Sequence, residues 1–134
     1  MWYSYATIRL VPRVERGEFL NVGVVLFARE QEFLAACIEL DVERALALAP
    51  ELDTRLVERH LQTFRDICAG LPAGGPVAAL PAPERFHWLV APRSTIIQTS
   101  PVHVGQADDP GQALEELMAG QVRRLRQAPA PDGA

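Results

Sequence analysis

The segment Phe19-Leu-Asn-Val-Gly-Val-Val-Leu-Phe-Ala28 decides the fold of this chain. It is a proline-free run of mostly apolar, β-branched and aromatic residues, which is typical of a buried β-strand. Residues 2–12 before it are also rich in such residues and end at Pro12, and the polar connection between the two runs, residues 15–18, contains a glycine. This spacing predicts an antiparallel hairpin with a short loop.

A third strand is predicted over residues 33–40, after a polar turn at residues 29–32, so the three strands form a meander. Successive side chains along a strand point to opposite faces of a sheet, and one face of each strand here is apolar. We assign the following residues to a core face: Ala6, Ile8, Leu10, Leu20, Val22, Val24, Leu26, Leu34, Ala36, Ile38 and Leu40. The opposite face carries a mixed set: Tyr3, Tyr5, Thr7, Arg9, Asn21, Gly23, Cys37 and Glu39.

From residue 41 onward the apolar spacing becomes helical. Asp41 is expected to cap a short helix over residues 42–48. Asp53 is expected to cap a longer helix that runs to about Ala69 and stops at Gly70. The longer helix has an apolar stripe with helical spacing: Leu56, Leu61, Phe64 and Cys68, with Val57 and Ile67 beside it.

The middle of the chain contains short elements separated by proline and glycine. Residues 70–83 are predicted to form a loop, because they hold two glycines beyond the first residue and four prolines. A helix of one or two turns is predicted over residues 84–91. Residues 94–99 are a candidate fourth strand, which Pro101 stops.

A last helix is predicted to begin at Asp109-Pro110 and to run to about Arg126. Together these patterns predict an α+β fold, an antiparallel meander sheet of three or four strands with two or three packed helices. Because 134 residues fit one domain, we expect a single domain over residues 1–127 and a disordered tail over residues 128–134. The apolar stripe of the last helix comprises Leu114, Leu117, Met118, Val122 and Leu125.

The charge composition limits the classes of partner. The chain has 13 basic and 17 acidic residues and a pI of 5.3, which argues against electrostatic binding to nucleic acids or to an anionic membrane surface. All the basic residues are arginines, so catalysis by a lysine side chain is excluded. No apolar run reaches the roughly 18 residues of a membrane span, and no secretion signal is recognisable. We therefore expect a cytoplasmic protein in which Cys37 and Cys68 are free thiols.

Motifs for catalysis and metal binding are sparse. The histidines His60, His87 and His103 and the two cysteines fall in none of the spacings that bind metals. The sequence contains neither a Gly-x-Ser-x-Gly nucleophile motif nor a phosphate-binding glycine pattern. We therefore predict no catalytic residue, no metal and no cofactor.

Two groups of residues are candidates for ligand binding. Arg93, Ser94 and Thr95 offer a guanidinium and two hydroxyls that could hold a phosphate or a carboxylate; alternatively, Arg93 pairs with a structural carboxylate while Ser94 and Thr95 cap or begin a strand. Tyr5, Arg9 and Asn21 share the mixed face of the sheet, where aromatic rings beside an arginine could stack nucleic-acid bases. Alternatively, helices pack over this face and satisfy its polar groups, and the acidic composition favours this second interpretation.

Two long segments resemble the signatures of a known family. Residues 3–27, which include Asn21-Val-Gly-Val-Val25, are similar to the opening of the bacterial domain-of-unknown-function 3037 family. Residues 86–105, beginning Phe86-His-Trp-Leu-Val-Ala-Pro-Arg93, are similar to its second signature. The resemblance implies no known activity and no family catalytic residues, and it implies a HipA-like kinase as a partner.

Two functions follow as predictions. The first is a non-enzymatic protein-interaction module whose partner is a kinase of this type. The alternative is a small binding protein or enzyme for a phosphate- or carboxylate-bearing ligand, which Arg9 and Arg93 grip and which Tyr5, Asn21 and Ser94 orient. This alternative requires the arginines and the asparagine to converge in one cleft.

Overall fold

The structure, a computed structural model, describes residues 1–125 and contains an antiparallel sheet of five strands. The strand order is β3-β2-β1-β4, and β5 lies beside β4 along the same edge of β1. The predicted hairpin and meander are confirmed, and a strand does form within residues 94–99, whereas the sequence does not predict β5. The strands are β1 (Trp2–Leu10), β2 (Leu20–Ala28), β3 (Phe33–Ile38), β4 (Ile97–Thr99) and β5 (His103–Gln106).

Four helices accompany the sheet in the described part of the chain: α1 (Val42–Leu48), α2 (Thr54–Ala69), α3 (Ala82–Leu89) and α4 (Pro110–Gln121). The predicted α+β class is therefore confirmed, with four helices where two or three are expected. The last helix ends at Gln121, short of the predicted end near residue 126. The predicted domain end at 127 and the disordered tail over 128–134 lie outside the described residues.

Aspartates begin three of the helices, as predicted. The side chain of Asp41 accepts a hydrogen bond from the backbone N–H of Arg44 at 3.2 Å. Asp53 and Asp109 accept similar bonds in the first turns of α2 and α4. Each bond satisfies an N–H that has no partner within the helix, so the local sequence fixes where these helices start.

The helices pack on both faces of the sheet, and two apolar clusters result. α2 and α3 cover one face and α4 covers the other, so the sheet is a central layer. The first cluster contains Ala6, Ile8, Leu10, Leu20, Val22, Val25, Ala45, Val57, Leu61, Phe64, Ile67, Cys68, Phe86, Leu89 and Ile97. The second cluster contains Val24, Leu26, Ala28, Ala113, Leu114, Met118 and Val122.

A β-bulge in β2 lets this one strand serve both clusters. Ile8 pairs with Gly23, but the next residue, Arg9, pairs with Asn21, so Val22 is an extra residue opposite β1. Such an insertion shifts the alternation of side chains by one position. Before the bulge the even-numbered residues of β2 therefore face the first cluster, and after the bulge the odd-numbered residues do.

The bulge corrects the predicted core face. Leu20 and Val22 do face the first cluster, but Val24 and Leu26 face the second cluster under α4. Gly23, which the alternation places on the mixed face, lies instead on the side of Ile8. The sequence alternation is thus correct before the bulge and wrong after it.

The edge of the sheet beside β1 is interrupted. Thr7 lies between the half of β1 that pairs with β4 and the half that pairs with β5. Its backbone N–H donates to Oγ of Ser100 at 2.9 Å, and the N–H of Ser100 donates to the carbonyl oxygen of Thr7 at 2.8 Å. Pro101, which follows, has no N–H to offer. The edge therefore consists of two short ladders joined by a serine side chain.

Ion pairs tie the end of α4 to the segment that joins β3 to α1. Nε of Arg123 lies 3.0 Å from Glu39, and Nε of Arg124 lies 2.6 Å from Asp41. The hydrogen bond from Arg124, together with that from the backbone of Arg44, lowers the pKa of the Asp41 carboxyl to about 2. These side chains are 29–55% exposed, so solvent screens the pairs, and they orient the end of the helix more than they stabilise the fold.

The apolar stripes predicted for α2 and α4 are each wrong at one position. In α2, Leu56 is exposed while its neighbour Val57 is fully buried. Beyond the end of α4, Leu125 is 81% exposed, because the helix stops before the stripe does. Neither change alters which face of the helix packs on the sheet.

Candidate functional site

The residues that the sequence groups into one ligand site lie on different faces of the sheet. Tyr5, Arg9 and Asn21 project toward the face that α4 covers. Arg93 and Ser94 lie in the segment between α3 and β4, and Arg93 lines a cleft whose apolar walls belong to the first cluster. The convergence of the two arginines and the asparagine in one cleft, which the ligand-binding alternative requires, does not occur, because the sheet separates them.

On the α4 side, the polar residues fasten the helix to the sheet. Nδ2 of Asn21 donates to the backbone oxygen of Gln121 at 3.0 Å, and the hydroxyl of Thr7 donates to the side-chain oxygen of the same residue. Arg9 places its guanidinium 4.1 Å from the centre of the Phe19 ring, a cation–π contact. Nε of Arg9 and Oδ1 of Asn21 are buried and have no partner among residues 1–125.

The tyrosines of this face are packed against the second cluster. Tyr3 and Tyr5 lie 6.0 Å apart between ring centroids, and Tyr5 lies 5.4 Å from His103 on β5. Tyr3 covers Gly105, where an added Cβ would come within 2.5 Å of its ring. Burial raises the pKa of the Tyr3 hydroxyl, as does its proximity to Tyr5. The surface that could have stacked bases is therefore largely occupied by the chain itself.

The opposite side of the sheet carries an open cleft between α2, α3 and β4. Its volume is about 400 Å³, within the range typical of ligand pockets. The walls are mostly apolar and the rim is polar. The apolar walls are formed by Phe64, Ile67, Trp88, Leu89 and Ile97, and the polar rim by His60, Thr63, Arg93, Thr95 and Gln98.

Arg93 and Trp88 form a cation–π pair where the polar rim of this cleft meets its apolar wall. The guanidinium carbon of Arg93 lies 4.2 Å from the centre of the indole ring, and Nη2 donates to the backbone oxygen of Trp88. Partial burial lowers the pKa of the guanidinium. Arg93 makes no ion pair with any carboxylate in residues 1–125, so the structural carboxylate considered from the sequence is not found there.

The local sequence explains how this pair is positioned. α3 ends at Leu89, and Pro92 cannot continue the helix, so the chain turns back over the end of α3. The hydroxyl of Thr95 then donates to the backbone oxygen of Ile97 at 2.7 Å, and Gln98 donates to that of Thr95 at 2.9 Å. These bonds fix the entry to β4 and hold the rim beside α3.

The sequence points to Arg93 and Thr95 but misses the other residues of the cleft, and Ser94, which it also indicates, does not line it. Trp88 lies in a helix whose core positions are Phe86 and Leu89, and its 39% exposure is set by tertiary packing. A tryptophan next to the buried face of a short helix, five residues before an arginine, is the only local signal. His60 gives no such signal, since it is one of several polar residues on the exposed side of α2.

The remaining chemical features of residues 1–125 are their potential metal ligands, their two thiols and the lengths of their helices. No group of three or more histidine, cysteine, aspartate or glutamate side chains gathers where a metal could be held within residues 1–125. Cys37 and Cys68 are free and lie in different clusters on opposite faces, and burial raises the pKa of the Cys68 thiol to about 12. None of the described helices is both long enough and apolar enough to cross a bilayer.

The fold and the cleft define the class: a small α+β protein in which helices cover both faces of an antiparallel sheet and leave an open, mostly apolar cleft between α2, α3 and β4. Within that class, the family described as protein of unknown function (DUF3037) matches residues 5–122. The chain belongs to this family, as the resemblance indicates. No curated protein and no solved structure matches the chain.

Proposed function

We propose that this chain is a non-enzymatic protein-interaction module that docks a partner protein at the cleft between α2, α3 and β4. The cation–π pair of Trp88 and Arg93, where the rim of the cleft meets its apolar wall, carries this proposal. Tryptophan and arginine are, with tyrosine, the residue types enriched among those that contribute most binding energy in protein interfaces, and such residues cluster in well-packed pockets. The cleft offers both elements side by side.

The size of the cleft fits the centre of such an interface. A volume of about 400 Å³ accommodates a few side chains, not a whole domain. A stable interface buries roughly 800 Å² on each partner, so the surrounding faces of α2 and α3 would form the rim. His60 and Thr63 on α2 are exposed beside the cleft and would belong to that rim.

The partner predicted from the family resemblance is a HipA-like kinase, and a cytoplasmic location goes with it as a prediction. A second candidate function is the binding of a small molecule that bears a phosphate or carboxylate. The absence of an ion pair on Arg93 within residues 1–125 favours it, and Ser94 would add a hydroxyl. Tyr5, Arg9 and Asn21 would need a separate site on the opposite face.

A pull-down with matched tryptophan variants tests the proposal. The full chain, tagged, is incubated with the purified HipA-like kinase of the same host, and the captured kinase is quantified. Trp88→Ala and the cleft-filling variant Thr63→Trp should lower capture strongly. Trp2→Ala is the matched control, because Trp2 is 65% exposed and lies outside the cleft.

The controls decide how the result is interpreted. Equal capture by wild type and both cleft variants would refute docking at the cleft. Absence of capture by the wild-type chain would refute the kinase as the partner. A metabolite that co-purifies with wild type but not with Trp88→Ala would instead favour the second candidate function.

A further inference from the structure

We infer that the cleft selects a partner segment in which a large apolar side chain lies next to an aspartate or glutamate. This inference rests on the proposed function and names the chemistry of its partner. The apolar side chain would enter between the walls of the cleft, and the carboxylate would bind the guanidinium of Arg93.

The charge distribution around the cleft supports an acidic partner. The chain has 17 acidic and 13 basic residues, yet no aspartate or glutamate lines the cleft. Arg93 is the one lining residue with a permanent charge, and His60 is the one further residue that can become positive. An acidic protein thus presents a locally cationic recess, and complementary charge is what specifies partners at such sites.

The guanidinium of Arg93 has binding capacity to spare. An arginine carries five N–H donors, and within residues 1–125 this one uses a single donor, Nη2, on the backbone oxygen of Trp88. The guanidinium lies over the indole ring, a contact that together with the Nη2 hydrogen bond restricts its position. A carboxylate can accept two parallel hydrogen bonds from a guanidinium held in this way, which gives both charge and direction to recognition.

Because the walls of the cleft are apolar, the partner segment needs an apolar side chain as well as a carboxylate. Phe64, Ile67 and Leu89 contribute carbon surface next to the charged rim. A partner with an acidic residue alone would leave this surface in water, and a partner with an apolar residue alone would leave the donors of Arg93 unpaired. The two features are therefore expected to occur together in the bound segment.

A display selection of random peptides on the full-length chain tests the inference. The baits are wild type, Arg93→Gln, Arg93→Glu and Trp88→Ala, with Trp2→Ala as the control outside the cleft. On wild type, enriched peptides should carry a large apolar residue with an acidic residue one or two positions away, about fivefold above the starting library. Trp2→Ala should give the same enrichment.

The arginine variants separate the inference from the proposal beneath it. With Arg93→Gln the acidic preference should disappear while the apolar preference remains, and with Arg93→Glu basic residues should replace acidic ones. Enrichment of apolar peptides without any acidic preference on wild type would overturn the inference and leave the interaction module intact. Equal enrichment on wild type and Trp88→Ala would overturn both. Thermal melting of each bait confirms that the variants are folded.

Discussion

Truncating Met118 is the most direct test of whether α4 covers the second face of the sheet. Met118 is fully buried, and it belongs to the second cluster together with Val24 and Leu26 from β2. Replacing a buried methionine by alanine removes its transfer free energy and leaves a cavity, which together cost about 2–5 kcal/mol. Because full burial places Met118 well inside this range, we expect Met118→Ala to lower the free energy of unfolding by about 3 kcal/mol.

Urea denaturation followed by circular dichroism at the helix band measures this loss. With a slope near 2 kcal/mol per molar urea, the midpoint should fall by about 1.5 M. Leu61→Ala, which empties an equally buried position under α2 on the opposite face, should cost a similar amount. Leu125→Ala is the exposed control and should stay within about 0.5 kcal/mol of wild type. A loss below about 1 kcal/mol for Met118→Ala, beside a large loss for Leu61→Ala, would show that α4 does not pack as described.

Three further predictions address single contacts. Gly23→Ala should destabilise the fold by more than about 1 kcal/mol in urea, because the added Cβ would lie 2.5 Å from the backbone oxygen of Cys37; an unchanged midpoint would contradict this packing. Burial raises the pKa of the Cys68 thiol from 9.0 to about 12, so with rising pH the unfolded chain loses this proton before the folded chain does, and the free energy of unfolding falls. Between about pH 9 and 11 the free energy of unfolding of wild type should fall by on the order of 2 kcal/mol more than that of Cys68→Ala, and parallel curves of stability against pH would refute this. The pKa of Asp41 is lowered to about 2, chiefly by the hydrogen bond from Arg124, so the contribution of its carboxylate to stability is present above the ordinary carboxyl range and is lost as the pH falls through 2. Asp41→Asn, which can still cap the helix, should melt at a lower temperature than wild type at pH 7, and the two melting temperatures should approach each other near pH 2.

The sequence is sufficient to predict that β2 forms, but not which of its side chains point to which face of the sheet. The apolar segment over residues 19–28 identifies β2, and the polar turns on either side identify its partners. The extra residue, Val22, leaves no mark in the pattern, because β2 is apolar on both faces and either alternation fits it. Only pairing with β1 reveals that Val24 and Leu26 face α4.

The fifth strand was beyond sequence reasoning for a different reason. Residues 103–106, His-Val-Gly-Gln, have little intrinsic preference for a strand and follow Pro101 closely. They become a strand because β1 offers an unpaired edge and because Gly105 leaves room for the ring of Tyr3. Tertiary pairing, not local propensity, decides such an element.

The candidate site was only half predictable. Arg93 could be identified because a guanidinium beside hydroxyl residues after a proline is a recognisable anion-binding pattern. Residue type alone groups Arg9 and Asn21 with it, and residue type does not tell on which face of a sheet a side chain lies. The sequence does not point to Trp88, because the role of this residue depends on its partial exposure beside apolar walls, which a sequence does not encode locally.

The break in the sheet edge at Ser100 and Pro101 bears on how the protein behaves when it is crowded. A long, straight strand edge is a template on which other chains can add strands and grow into fibrils. Here the run beside β1 offers only three residues, then a kink, then four. A strand of another chain that paired with this edge would lose its register at the break. The hydroxyl of Ser100, which bridges the break, already hydrogen-bonds within its own chain. This edge is therefore a poor template for adding strands, so growth by strand addition would have to use the other edge of the sheet, β3.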